Sequence, residues 1–205
     1  MLNPKVRNKW IRLVGPMLDI LTVLFWALAY IFSIYAKIQD DKQKYVAFPF
    51  ISGALNITWE IVSVIHSRGF WGHCIWLVLD VVIVSMNLVF LQTSKRRFAY
   101  ICFLLFCLIM LTVFFESDSF NGMLISSFII DLIMAGEYVF MIKKLPSYFR
   151  LEVGVFRTLG DLFAWLSNLR QSMLVSIIGI LILLINLFYV CYCIELQNTE
   201  SRRTA

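Results

Sequence analysis

The stretch ALNITWEIVSVI, residues 54–65, places one carboxylate, Glu60, inside an otherwise apolar run. An acidic residue at mid-membrane costs about 2.5–3.5 kcal/mol on insertion scales, so Glu60 needs a compensating environment or a use. Steps of three and four residues put Gly53, Asn56, Ser63 and Ser67 on its helical face. Asn56 precedes Glu60 by one turn and is expected to hydrogen-bond it. A second stripe, His73, Trp76, Asp80 and Asn87, follows across the short connection SRGFWGH. In two antiparallel helices rising 1.5 Å per residue, Glu60 and Asp80 fall at similar depth, roughly 10 Å below one interface.

Further polar positions interrupt the other apolar runs: Asp19, Thr22, Trp26 and Tyr30 in the first; Ser127, Asp131, Glu137 and Tyr138 in the fifth; Thr158, Asp161 and Trp165 in the sixth; Asn186 and Tyr189 in the seventh. Acids outnumber basic residues within these runs, and Arg157, one turn before Asp161, is the clearest internal partner. Intramembrane acids face a bundle interior or a wet cavity. In a dry, mutually acidic cavity, desolvation and like charge both favour the neutral form of a carboxyl group, and a neutral carboxylic acid is a proton donor. Simpler roles compete. Asp19 and Asp161 lie near run ends, where capping or snorkelling accounts for them. Asp131 fits a helix–helix hydrogen bond. His66 and His73 flank a turn and are expected at the interface. The aromatic residues pack or form an interfacial belt.

These residues need elements to hold them. The chain has 205 residues, 60% of them hydrophobic, and a mean hydropathy of +0.82, well above the roughly 45–50% apolar content of soluble domains. A hydrocarbon core about 30 Å thick calls for about 20 apolar residues per helix. Seven spans are expected, at 14–36, 46–66, 73–92, 98–115, 122–142, 151–169 and 172–194. The fold expected is therefore an all-α bundle of about seven transmembrane helices, one domain over residues 1–205. The basic start MLNPKVRNKWIRLVGP reads as the lead-in to a retained first helix, with Trp10 interfacial. Pro146 breaks the chain between spans five and six.

The net charge of +5 reflects positive residues at helix ends and is not a nucleic-acid footprint. Lys37, Lys42 and Lys44, Lys95–Arg97, Lys143, Lys144 and Arg150, and Arg202 and Arg203 vote for cytoplasmic loops and a cytoplasmic C-terminus, whereas Lys5, Arg7, Lys9 and Arg12 vote the other way. The balance favours N-out, C-in. The five cysteines show no metal or CxxC spacing and read as packing residues. No DDxxD, DxDD, GxSxG, HExxH, P-loop or GxGxxG motif occurs.

The segments NITWEIV (56–62) and IWLVLDVVIV (75–84), with INLFYVCY in the last run, resemble the membrane-integral terpene cyclases of fungal meroterpenoid and indole-diterpene pathways and their bacterial relatives. The resemblance implies metal-independent, proton-initiated cyclisation of a linear prenyl or terpenoid chain, with Glu60 protonating a terminal epoxide or alkene. It implies a lipid-like prenylated small molecule and membrane lipid as partners and no cofactor. The family's second acid, in the last span, aligns by context with Asn186, which is not acidic, so either Asp80, Asp131 or Asp161 takes that part or the chemistry differs. The residues expected at the site are Glu60 and Asp80 as catalytic groups, with Asn56, Trp26, Trp59, Trp76, Asp131, Asp161, Asn186 and Tyr189 around the substrate. Two other classes stay open: a small seven-helix solute transporter, disfavoured by the absence of proline within spans five to seven, and a non-catalytic membrane scaffold.

Overall fold

The computed structural model describes residues 4–39, 50–66, 70–91, 93–117, 119–144, 150–169 and 171–204. They form seven helices and, among the described residues, no strand: α1 (Pro4–Gln39), α2 (Phe50–Ile65), α3 (Phe70–Phe90), α4 (Ser94–Ser117), α5 (Ser119–Lys144), α6 (Leu151–Asn168) and α7 (Met173–Thr204). Five of them, α1, α3, α4, α5 and α7, are long and apolar enough to cross a membrane. The chain is an all-α, multi-pass membrane bundle.

Two of the expected spans differ in character, and residues 46–49 of the second lie outside the described residues. α2 has 16 residues, about 24 Å at 1.5 Å per residue, which is shorter than a hydrocarbon core. α6 has 18 residues and carries Glu152, Arg157 and Asp161, too many charges for an apolar span. Both are instead held by neighbouring helices: α2 packs on α3, α4 and α5, and α6 on α1 and α7. α1 also begins earlier than the apolar run suggests and continues helically through Pro16. Ser67, Pro49, Pro146, Lys42, Lys44 and the side chains of the N-terminal basic cluster, Trp10, Arg202 and Arg203 lie outside the described residues.

Without a hydrophobic force between helices in lipid, close approach depends on small residues. α6 shows this on two sides. A Cβ on Gly160 would stand 2.6 Å from the Trp26 ring of α1, and one on Gly154 would stand 2.6 Å from the Tyr189 ring of α7. A Cβ on Gly179 of α7 would meet the Trp165 ring in the same way. Glycine therefore lets three large aromatic rings lie close against a neighbouring backbone.

The central core lies away from the α2–α3 turn. It contains Trp26, Tyr30, Met134, Tyr138, Ile142, Val153 and Tyr189. The start of α2 is tied into this region by a carboxylate from α5. Glu137 accepts hydrogen bonds from the main-chain nitrogens of Ile51 and Ser52, each at 2.9 Å, and from the Ser52 hydroxyl. The first turn of a helix has free N–H groups and a partial positive charge, so Glu137 caps the start of α2 from α5.

Candidate functional site

A pocket of about 410 Å³ lies near the end of the bundle that carries the α2–α3 and α6–α7 turns. Glu60 reaches it from the last turns of α2, His73 and Trp76 from the first turns of α3, and Asp131 from α5. Trp26, Tyr30, Asn56 and Trp59 complete its inner wall; Asp19, Asn168 and Gln171 line it towards the turns. The volume falls in the range of about 300–1,000 Å³ typical of small-molecule sites. No lysine or arginine is among the described residues that line it.

Glu60 is 5% exposed, and its Oε2 lies 2.9 Å from Nδ1 of His73. The expected bond from Asn56 is corrected: the Asn56 amide donates to the Tyr30 hydroxyl at 2.7 Å. His73 is corrected as well. It is not interfacial but 8% exposed, packed edge-on between Trp59 (ring centroids 5.1 Å apart) and Trp76 (5.6 Å). Trp59 is itself fixed by donating from Nε1 to the Ser126 hydroxyl at 3.0 Å. The result is an acid–imidazole pair held by rings on both sides of the imidazole, with one edge open to the pocket.

The spacing that hid this pair is now clear. His73 lies thirteen residues after Glu60, across a turn, and its own stripe with Trp76 and Asp80 places it on the inward face of α3. Face membership was the usable signal; proximity to a turn was the misleading one. His66, by contrast, ends α2 with its Nδ1 2.8 Å from the carbonyl of Val62.

Of the other expected residues, Trp26, Asn56, Trp59, Trp76 and Asp131 line the pocket, and Asp80, Asp161, Asn186 and Tyr189 do not. Asp80 is 2% exposed and lies behind the wall, where it interacts with the Tyr30 hydroxyl. Asp161 accepts from the Asn186 amide and pairs with Arg157 at 3.8 Å, so these three groups meet inside the α6–α7 contact, although Asp161 Oδ1 and Arg157 Nε and Nη1 have no hydrogen-bond partner among the described residues. Tyr189 is buried in the central core against Tyr138. Asn186 is therefore not at the pocket, as its place in the last helix suggested, because its amide is spent on Asp161. Trp26 is shared: it lines the pocket, and the Arg157 guanidinium lies 5.4 Å from its ring centroid.

No family model, curated protein or solved structure matches the chain. Among the described residues no group of three or more His, Cys, Asp or Glu side chains is placed to hold a metal ion.

Proposed function

We propose that the protein is an enzyme that cyclises a prenyl or terpenoid chain inside the bilayer, started by proton transfer from Glu60. The observation that carries this reading is the Glu60–His73 contact, 2.9 Å long and buried, at the wall of an aromatic pocket of about 410 Å³. A carboxylic acid that opens onto an apolar cavity can protonate a terminal epoxide oxygen or a terminal alkene carbon. For an epoxide, the C–O bond breaks as the oxygen takes the proton, and the next double bond supplies electrons to the carbon. For an alkene, the π electrons take the proton and the adjacent carbon is attacked by the next double bond. Either route ends when a base removes a proton, so the product is an isomer of the substrate.

Asp131 fits the closing base better than Asp80 and Asp161, since it shares the pocket with Glu60 whereas they do not. His73 is a positioning residue: it orients Glu60 and passes a proton back to it between turnovers. Trp59, Trp76 and Tyr30 surround the developing cation, and an aromatic face contributes up to about 2 kcal/mol when the cation is desolvated. With the turns around Glu60 placed outside by N-out, C-in insertion, the pocket faces the non-cytoplasmic side of the membrane.

The test is turnover of a panel of prenylated arenes bearing terminal epoxides or alkenes by the purified chain in nanodiscs. Glu60→Gln is expected to lower cyclisation by about 10²–10⁴-fold, the share a general acid contributes, with an unchanged unfolding temperature. Solute flux through proteoliposomes that requires Glu60, with no cyclisation of the panel, makes the chain a transporter instead.

A further inference from the structure

The charges around the pocket do not balance. Glu60, Asp80, Asp131 and Asp161 are gathered within the interior, and Arg157 is a buried cation among them. Arg157 is engaged elsewhere only in part, since its Nε and Nη1 have no hydrogen-bond acceptor among the described residues. It pairs with Asp161 at 3.8 Å, donates to the main-chain oxygen of Asp131 at 3.0 Å, and lies over the Tyr138 and Trp26 rings at 4.8 and 5.4 Å. Glu60 has His73. The Asp131 carboxylate, half-buried in the pocket wall, has no hydrogen-bond donor among the described residues. A carboxylate withdrawn from water calls for a counter-charge or donors; no donor among the described residues reaches it, and the attraction of the Arg157 guanidinium is shared with Asp161.

The pocket around that carboxylate is aromatic, with Trp59, Trp76 and Tyr30 on its wall. Aromatic surface together with a carboxylate that has no cation of its own in the pocket lining is the recognition chemistry of organic ammonium ions. A bare metal ion is a poor match, given the pocket's size and the absence of a ligand cluster among the described residues. An anion meets acids and no lining lysine or arginine.

We infer that the pocket binds hydrophobic ammonium ions, with the Asp131 carboxylate as counter-ion and Trp59, Trp76 and Tyr30 around the cationic head. The inference uses the same pocket as the proposed reaction but does not depend on any turnover. An ammonium ion there has the charge of a carbocation without its reactivity, so such a compound also inhibits cyclisation where cyclisation occurs.

The experiment is a binding titration on the purified full chain in nanodiscs, read by quenching of its tryptophan fluorescence. Three probes share one geranyl chain: a trimethylammonium head, the neutral tert-butyl head of the same shape, and a carboxylate head. The ammonium is expected to bind saturably and at least about tenfold more tightly than the neutral isostere, with the carboxylate weakest. In Asp131→Asn the ammonium preference is expected to collapse while the affinity for the neutral isostere is unchanged. Equal affinity for ammonium and neutral probes in the wild-type chain overturns the inference, as does a preference that survives Asp131→Asn. The wild-type ranking decides the matter even if that variant fails to fold. If the ammonium does not bind while Glu60-dependent cyclisation is found, this inference fails alone; if it binds and no cyclisation is found, only the catalytic reading fails.

Discussion

Glu60 and Glu137 are glutamates on adjacent membrane helices with opposite surroundings. Glu137 receives three hydrogen bonds from the start of α2, two of them from main-chain nitrogens. Its carboxylate is fully used in holding a helix end. Glu60, at the other end of the same helix, has one imidazole partner and faces a cavity. The contrast extends to the regions around them. Near Glu137 the bundle centre is filled by Tyr138, Ile142, Val153 and Tyr189; near Glu60 a comparable set of aromatic residues stands around open space. Polar groups in the filled half hold helices together, and those in the hollow half are left available to a ligand.

This division can be broken most forcefully at Arg157. Arg157→Met removes a buried cation and leaves Asp161 without its ion pair, a change that typically costs about 3–5 kcal/mol. Thermal unfolding in micelles is expected to show that loss. A variant as stable as the wild type would mean that the α6–α7 polar cluster is not structural. A smaller effect is expected for Gly160→Ala, whose Cβ would stand 2.6 Å from the Trp26 ring. Overpacking of this kind costs about 1–3 kcal/mol, and the displaced ring also narrows the pocket, so ligand binding should weaken along with stability. Glu137→Gln is the mildest. It keeps one acceptor for the α2 amides and should cost about 0.5–2 kcal/mol, the range of a helix cap. Its sharper signature is faster hydrogen exchange at the amides of Ile51 and Ser52, with the rest of the bundle unchanged.

Much of the architecture was legible in the sequence because lipid imposes a long apolar signal. The seven helices fall where the apolar runs are, and the polar stripe through Gly53, Asn56, Glu60 and Ser63 does face inward. The shortness of α2 and the charged character of α6 were harder to read, since a helix can be kept at membrane depth by its neighbours rather than by its own hydropathy. The site was legible in part. Single-helix periodicity puts Glu60 and Asn56 on one face, but it cannot say which of two nearby acceptors an amide will choose, and Tyr30 of α1 outcompetes Glu60. His73 was misjudged because a position near a turn suggests an interface, whereas α3 enters the bundle directly from that turn. Asp80 and Asp131 look equivalent in sequence; only the packing of Tyr30 against Asp80 separates a buried residue from a pocket-lining one. Glu137 could not have been foreseen as an anchor for α2, because the contact joins positions more than eighty residues apart.

The central claim is that Glu60 delivers the proton that starts a ring closure in this pocket. Its most direct test is cyclisation of a prenylated arene with a terminal alkene in deuterated water, comparing the wild type with Glu60→Gln by mass spectrometry of the product. The account predicts one carbon-bound deuterium in the wild-type cyclic product and a loss of about 10²–10⁴-fold in its formation by the variant, with both proteins equally stable. Deuterated cyclic product formed by Glu60→Gln at the wild-type rate would contradict it.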